Sequence, residues 1–229
     1  MDFFEKRARE RLGAWLWIGC LQFFVAEQIA RLGWRGRYLM SWNYISDLGT
    51  VGCGVACSRL HAVMNASFFL QGVLIAGGAM LLPRSSFPVF PRVFLLLSAL
   101  GVMLVAMMPS DVNMNLHVQG ANFHFGFGSL AMLFSGVLLL RQWRGATSKA
   151  DRIVLAREAK AAFLAAGAAI LGDLLIVYGS GPVDDMFGRG TVERLAAYPL
   201  PLWLAWTGWM LLRERSGRSS FKRSGSSHL

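Results

Sequence analysis

The sequence contains few cysteines and none of the short motifs that mark the commonest catalytic or metal sites. It has three Cys among 229 residues, and no compact metal-ligand pattern such as His-x3-His occurs. It also lacks the Gly-x-Ser-x-Gly elbow that positions the nucleophile of many hydrolases. No internal repeat is evident, which disfavours a transporter built from repeated halves. Function must therefore be inferred from the hydropathy pattern and from the polar residues that interrupt it.

The apolar residues are gathered into long blocks. Hydrophobic residues make up 55% of the chain, and its mean hydropathy is +0.45. Six blocks of about 17–24 residues are each long enough, or nearly so, to cross a bilayer as a helix. They cover residues 13–32, 61–82, 89–108, 117–140, 157–178 and 197–213. We therefore predict an all-α integral membrane protein with a six-helix transmembrane domain over 13–213. A basic N-terminal segment over 1–12 precedes it, and a basic, disordered tail over 214–229 follows it.

The charged residues predict the orientation of this domain. The formal net charge is +10, and Lys and Arg cluster before span one and after spans two, four and six. The positive-inside rule then places both termini in the cytoplasm and the chain in the inner (plasma) membrane. The outer connections contain exceptions, namely Arg31, Arg35, Arg37, Arg59, Arg189 and Arg194. Because topology and anionic lipid account for the basic charge, we expect membrane lipids and no nucleic acid as partners.

The first span and the cysteines bear on processing and redox state. The first span lacks a small-residue cleavage site and is long enough to remain in the membrane, so we expect no cleaved signal sequence. Cys20 lies within that span. Cys53 and Cys57 lie four residues apart in the first outer loop, a helical spacing that puts Cα atoms near the upper limit for a disulfide. Two unpaired residues are the favoured interpretation, and a disulfide is the alternative.

One short polar run stands out between spans one and two. It is Asn43-Tyr44-Ile45-Ser46-Asp47-Leu48-Gly49. Asn, Ser, Asp and Gly favour turns, yet a connecting loop does not need the whole set, and loops this long are often functional. The run places an amide, a hydroxyl and a carboxylate side by side at the membrane edge. We therefore predict that Asn43, Ser46 and Asp47 belong to a functional site.

Other polar residues interrupt the outer parts of the spans. They are His61 and Asn65 in span two, His117 and His124 on one face of span four, Asp173 in span five and Arg194 at the last outer loop. Ionisable groups within a span are costly and default to a functional hypothesis. Because the alternating topology gathers all of these residues in the outer third, we predict a polar pocket that opens outward. The inner half is expected to contain almost no buried polar residue.

Two local pairings are also expected. Glu27, in the last outer turns of span one, is predicted to reach the interface or to pair with Arg31 four residues later. Asp111 or Asn113 is predicted to cap the helix of span four.

Three functions remain open for the predicted pocket. The first is a lipid-modifying enzyme, a hydrolase or acyl transferase, with Asp47 and His124 as acid/base groups and His117 as a second base or oxyanion partner. The remaining residues would position or bind the substrate: Asn43, Ser46, His61, Asn65, Asp173 and Arg194. The second is a non-enzymatic binder of a lipid or small molecule, a transporter or an accessory subunit. In the third, the polar residues merely join helices.

A metal centre is not expected in this pocket. His117 and His124 lie seven residues apart, which is about 10.5 Å along one helix, too far for both to bind the same ion. We therefore predict no metal site, and the sequence indicates no particular cofactor or oligomeric state.

Three stretches resemble a known family. They are Asn43-Tyr44-Ile45-Ser46-Asp47-Leu48-Gly49, Asn65-Ala66-Ser67 and Glu193-Arg194-Leu195-Ala196-Ala197-Tyr198-Pro199-Leu200-Pro201-Leu202-Trp203. Over residues 13–213 the chain resembles the prokaryotic membrane-protein family called domain of unknown function 998. That family is itself similar to the DRAM/Sfk-type six-span proteins, a wider group that includes proteins of GPI-anchor lipid remodelling. The resemblance implies six helices and a polar site on the lumenal or outer side.

Overall fold

The described part of the chain is built almost entirely from helices. The computed structural model describes residues 3–52, 57–83, 87–179, 181 and 186–224. The α-helices are α1 (Phe3–Gly19), α2 (Gln22–Leu32), α3 (His61–Leu81), α4 (Val89–Met107), α5 (Met114–Gly145), α6 (Lys149–Tyr178), α7 (Arg189–Ala197) and α8 (Pro199–Ser224). A 3₁₀ helix, Ser46–Gly49, lies in the first loop. The described residues form no β-strand, only an isolated bridge between Trp34 and Ser58.

Six helical segments are long and apolar enough to cross a membrane. They are Glu5–Leu32, His61–Leu81, Val89–Met107, Met114–Gly145, Lys149–Tyr178 and Arg189–Arg213. The predicted all-α class with six spans is therefore confirmed. Several helices are longer than the apolar blocks, because a helix satisfies its own backbone beyond the hydrocarbon as well as within it, whereas hydropathy detects only the apolar part.

The first and the last span are each broken into two helices. Between α1 and α2, the Cys20 N–H donates to the Trp17 carbonyl, three residues back, at 3.2 Å, which is the tighter 3₁₀ pattern. Between α7 and α8, the break precedes Pro199, which has no N–H to donate and occupies the first position of α8. In both spans the shorter helix, α2 or α7, is the one that adjoins a long loop.

The spans form a closed ring in chain order. The most extensive contacts are those of α3 with α4, α4 with α5 and α5 with α6, and α1 closes the ring against α8 and α3. Gly101 and Gly120 let α4 and α5 approach closely, since a Cβ on Gly101 would lie 2.6 Å from the Gly120 carbonyl oxygen. The same Cβ would lie 2.5 Å from the His124 backbone nitrogen. The two helices are therefore in close backbone contact beside His124.

Two buried apolar clusters divide the bundle into halves. We call the part of the bundle around the first cluster the terminal half. This cluster includes Trp17, Ile75, Ala79, Leu82, Phe87, Leu95, Met132 and Leu204. The cluster of what we call the loop half, under the long first loop, contains Phe23, Ala30, Ile45, Leu48, Met64, Phe68, Val102, Val105 and Ala197. Among the described residues, those of the first loop enter the apolar cluster of the loop half and not that of the terminal half, so this part of the loop belongs to the packed structure.

Side chains at the α4–α5 connection fix the start of α5 and the first loop. Asn113 caps α5, because its side-chain oxygen accepts from the Leu116 N–H at 3.1 Å. This confirms one of the two predicted caps. Asp111, the other, instead accepts from the Val51 N–H at 3.2 Å and thereby ties the first loop to this connection.

The cysteines depart from the sequence-based interpretation. Cys57 is disulfide-bonded, whereas Cys20 is a free, buried thiol. The expectation that Cys57 is unpaired is therefore wrong. That expectation assumed helical spacing, but Cys57 lies outside any helix, where its carbonyl accepts from the Arg35 N–H at 3.0 Å. Cys53 lies outside the described residues.

The last helix also differs from expectation. Helix α8 continues to Ser224, into the tail that the composition predicts to be disordered. Each residue that extends an existing helix adds a hydrogen bond, whereas starting a new helix is costly. Residues 225–229 lie outside the described residues.

Candidate functional site

The polar motif of the first loop folds into a capped turn. Within the 3₁₀ helix Ser46–Gly49, Asp47 turns back so that its Oδ2 accepts from the Tyr44 N–H at 2.9 Å. Asn43 Oδ1 accepts from the Leu39 N–H, also at 2.9 Å. Both side chains therefore bond to nearby backbone, as Asn and Asp commonly do in turns. Asn43 and Asp47, two of the predicted site residues, therefore have a local structural role.

The Asp47 carboxyl group is half-buried. Burial raises its pKa above the ordinary value, although the Tyr44 N–H and the positive charge of Arg189 oppose that shift. His117 lies close enough to act in the same direction as Arg189. Asp47 is therefore near His117, one of the predicted bases, but its side chain is bonded within its own turn.

Glu193, in α7, holds the start of this turn from the other side. Its Oε2 accepts from the Ile45 N–H, and its Oε1 accepts from the Ser46 N–H at 3.4 Å. Glu193 is 8% exposed, and a buried carboxylate requires such donors. Glu193 is not among the site residues predicted from the sequence, although its place beside Arg194 within a matched motif points to it.

A buried ion pair fixes α2, the first loop and α7 together. Arg194 Nη2 lies 2.7 Å from Glu27 Oε1, and Glu27 is 0% exposed. Tyr198 completes the pair, because its hydroxyl donates to Glu27 Oε2 at 2.7 Å. The remaining Arg194 donors go to the carbonyls of Met40 (2.6 Å), Asn43 (3.0 Å) and Gly190 (2.9 Å) and to the hydroxyls of Tyr38 (2.7 Å) and Tyr198 (3.1 Å).

This network corrects two expectations. Every guanidinium nitrogen of Arg194 is bonded within the protein, which leaves no donor for a substrate. Arg194 therefore positions the loop rather than binding a ligand. Glu27 pairs with Arg194 and not with Arg31, because Arg31 donates to Gln28 at 2.5 Å. The sequence separation of 167 residues between Glu27 and Arg194 explains why helical spacing alone missed the pair.

A cavity lies beneath the motif, in the loop half. The centre of a water-sized sphere can move through about 40 Å³ of it, and the surrounding empty space, including the part that is open to the outside, comes to about 490 Å³. Its apolar lining comes from Phe23, Ile45, Phe68, Val102, Val105, Ala121, Phe125, Ala197 and Pro201. Its polar lining consists of Ser46, Gln71, His117, His124 and Glu193. The cavity therefore brings together three predicted site residues, namely Ser46, His117 and His124, with two that were not predicted.

Both cavity histidines present Nε2 as a hydrogen-bond acceptor. Nδ1 of His117 lies 2.9 Å from the Met108 carbonyl oxygen, so it must carry the hydrogen. Nδ1 of His124 lies 3.0 Å from Ser98 Oγ, whose own hydrogen is donated to the His124 carbonyl, so this Nδ1 is a donor too. In a neutral imidazole the second nitrogen then accepts. Among the described residues, Nε2 of neither ring has a hydrogen-bond partner.

Gln71 contributes an unpartnered donor to the same cavity. The Gln22 amide is oriented by Ser67, because Gln22 Nε2 donates to the Ser67 carbonyl at 3.2 Å and Oε1 accepts from the Ser67 hydroxyl at 2.9 Å. Gln22 Nε2 also donates to Gln71 Oε1 at 3.2 Å. Gln71 must therefore turn its NH₂ group the other way. Gln71 is 1% exposed, and its Nε2 has no partner among the described residues.

The other predicted site residues lie outside the cavity lining. Asn65 Nδ2 donates to the Gly49 carbonyl at 2.8 Å and supports the end of the 3₁₀ helix. His61 Nδ1 lies 3.1 Å from the Ser58 carbonyl oxygen at the start of α3. On α6, Asp173 Oδ2 accepts from Ser129 at 3.1 Å. Asn65 therefore shapes the motif, while His61 and Asp173 are separate from the cavity.

The described residues form no group of three or more His, Cys, Asp or Glu side chains that could hold a metal ion. The side chains that line the cavity can take part in hydrogen bonding and proton transfer. The polar ones are two imidazoles, one carboxylate, one amide and one hydroxyl.

Comparison with known proteins identifies the family of this chain. No curated protein and no solved structure matches the chain, and the wider similarity to DRAM/Sfk-type proteins stays a prediction. One family model, described as "Protein of unknown function (DUF998)", matches residues 17–210, which include the motif, the ion pair and the cavity. The chain therefore belongs to the DUF998 family.

Proposed function

We propose that this protein binds one amphiphilic molecule, a lipid or a lipid-like compound, in the cavity of its loop half. The observation that carries the proposal is the cavity's mixed lining. Apolar side chains surround the unpartnered Nε2 donor of Gln71 and two imidazole acceptors. Binding sites for small amphiphiles are mostly apolar, with a few placed polar groups that fix orientation. A polar group left unpaired in such a place is costly, and a ligand would remove that cost.

We further propose that the ligand comes from the outer leaflet of the plasma membrane. The distribution of Lys and Arg supports chain termini in the cytoplasm, and the long first loop would then face outward. The cavity lies under that loop.

Catalysis on the bound molecule is a second candidate, and the two imidazoles favour it. In a hydrolase or acyl transferase, Nε2 of His117 or His124 would accept a proton from an attacking hydroxyl or water. Ser46 lines the same cavity, so it could position the reacting group. The acid/base role predicted for Asp47 has less support, because its carboxylate accepts from Tyr44 and lies outside the cavity lining.

Filling the cavity tests the binding proposal. Ala121→Trp would place a large ring in the space, whereas Val118→Trp, on the exposed side of the same helix, would not. We expect native mass spectrometry of gently solubilised protein to show a retained lipid in the wild type and in Val118→Trp, but not in Ala121→Trp. Equal lipid retention by all three proteins would contradict the proposal.

Turnover tests the catalytic candidate. The protein in nanodiscs would be incubated with outer-leaflet lipids, and its products would be followed by mass spectrometry. If the protein is an enzyme, His124→Ala and His117→Ala should each lower turnover by about 10²-fold or more, while Ala121→Trp should abolish it. Lipid binding without any turnover would support the binding function and contradict the catalytic one.

A further inference from the structure

The polar groups of the cavity also constrain the charge of its ligand, and this inference rests on the proposed function. The charge that a ligand can carry depends on the hydrogen-bond donors, the hydrogen-bond acceptors and the charged side chains at the cavity.

The free donor is Gln71 Nε2. Its orientation is fixed through Gln22, which is itself held at both ends by Ser67. A flipped Gln71 would put its NH₂ group against the NH₂ group of Gln22, so two donors would face each other. The cavity therefore offers a donor whose direction is set by two neighbouring side chains, and a ligand must bring an acceptor to it.

The free acceptors are Nε2 of His117 and Nε2 of His124. Their Nδ1 atoms are committed as donors to Met108 and Ser98. Glu193 adds carboxylate oxygens that already accept from two backbone N–H groups. A ligand must therefore bring a hydrogen-bond donor to the same cavity as its acceptor.

The charged side chains at the cavity disfavour a ligand with a charged head group. None of the described residues that line the cavity is Lys or Arg, and the nearby Arg194 guanidinium has all of its nitrogens bonded within the protein. A phosphate or carboxylate would meet the Glu193 carboxylate and two imidazole lone pairs without a cation to offset it. An ammonium group donates hydrogen bonds but cannot accept one, so it would leave Gln71 Nε2 without a partner.

We infer that the cavity takes an uncharged amphiphile whose polar end is a hydroxyl or amide group, which accepts from Gln71 Nε2 and donates to an imidazole Nε2. Monoacylglycerols, long-chain alcohols and fatty amides belong to this class. Gln71 is then the residue that determines specificity, because it is the unpartnered donor at the site.

Two lipids that differ only by a phosphate test the inference. The full-length protein in detergent would be titrated with monooleoylglycerol and with 1-oleoyl lysophosphatidate, and bound lipid would be counted by native mass spectrometry. We expect monooleoylglycerol to bind at least about tenfold more tightly, since one hydrogen bond and one uncompensated charge separate the two ligands. Equal or tighter binding of lysophosphatidate would overturn the inference.

A variant series tests the role of Gln71. Gln71→Leu should weaken monooleoylglycerol binding by about tenfold and leave lysophosphatidate binding unchanged. Gln119→Leu, at an exposed position of α5, should change neither. An unchanged monooleoylglycerol affinity in Gln71→Leu would overturn the assignment. If Gln71→Leu does not fold, the wild-type comparison of the two lipids still decides.

The outcomes separate this inference from the proposed function. If neither lipid binds, and Ala121→Trp and the wild type retain lipid equally, the proposed function itself fails. If both lipids bind and are displaced by Ala121→Trp, but the phosphate makes no difference, the binding function stands and the neutral-ligand inference fails.

Discussion

The two halves of the bundle are stabilised in different ways. In the terminal half, Trp17, Phe87 and Trp203 pack ring against ring, with Trp17 and Phe87 centroids 4.9 Å apart. In the loop half, the Glu27–Arg194 ion pair and its hydrogen bonds hold the loop and helices. One half is a packed apolar core, and the other surrounds a cavity with a frame of hydrogen-bonded polar side chains. The loop half therefore combines a polar frame with unfilled space, as the proposed binding function requires.

The largest effect should come from breaking the polar frame. Arg194→Met leaves the Glu27 carboxylate buried without its cation, which should lower the free energy of unfolding by about 3–5 kcal/mol. Denaturant unfolding in detergent would measure it. Arg157→Met in the terminal half is the control, because the Arg157–Glu158 contact is 3.8 Å long and the Arg157 side chain is 47% exposed. That control should cost less than about 1 kcal/mol.

A matched pair of Phe residues compares the packing of the two halves. Phe87→Ala in the terminal half should cost about 3–5 kcal/mol, the usual cost of emptying a packed site. Phe68→Ala should cost at least about 1 kcal/mol less, because Phe68 already borders a cavity. Both residues are buried, at 5% and 7% exposed, so burial does not distinguish them. Equal losses in thermal stability would argue that the loop half is as densely packed as the terminal half.

Glu193→Gln should loosen the motif while the bundle stays folded. An amide at this position turns an NH₂ group toward backbone N–H donors, at a cost of about 1–3 kcal/mol. Hydrogen exchange of residues 43–50, followed by mass spectrometry, should become faster. Glu158→Gln in the terminal half should leave this segment unchanged. Unaltered exchange in Glu193→Gln would mean that the loop is held without that carboxylate.

The smallest effect concerns pH at Asp47. Burial raises the pKa of this carboxyl in the folded protein, so ionisation favours the unfolded chain. The stability contribution of Asp47 is therefore fully present below its unfolded pKa and is lost as pH rises through the higher folded pKa. Asp47→Asn can still accept from the Tyr44 N–H and should reduce this loss. Parallel stability profiles of variant and wild type from pH 3 to pH 7 would contradict the expectation.

Hydropathy was sufficient to predict the six spans, because the membrane requires each segment to be long, apolar and helical. It could not locate the breaks at Cys20 and before Pro199, since a local change in hydrogen bonding leaves hydropathy unchanged. Nor could it predict that α8 continues to Ser224. These features depend on backbone geometry and not on composition.

The candidate site was predictable only in part. His117 and His124 could be found because ionisable residues on one face of a span are rare and easily recognised. Gln71 and Glu193 were missed because their importance comes from neighbours distant in sequence: Gln22 orients the first, and the Ile45 and Ser46 backbone engages the second. Arg194 was predicted to bind substrate, but its donors bond to Glu27 and to the first loop. Helical spacing could not predict these partners, because they lie far away in the sequence.

A structure of the protein in nanodiscs made from its own membrane lipids would test the central claim most directly. We predict an elongated density in the cavity, with its polar end within hydrogen-bonding distance of Gln71 Nε2 and of an imidazole Nε2. A closed, empty cavity in which Gln71 Nε2 bonds to another protein group would contradict the claim. The polar residues of the loop half would then serve only to join its helices.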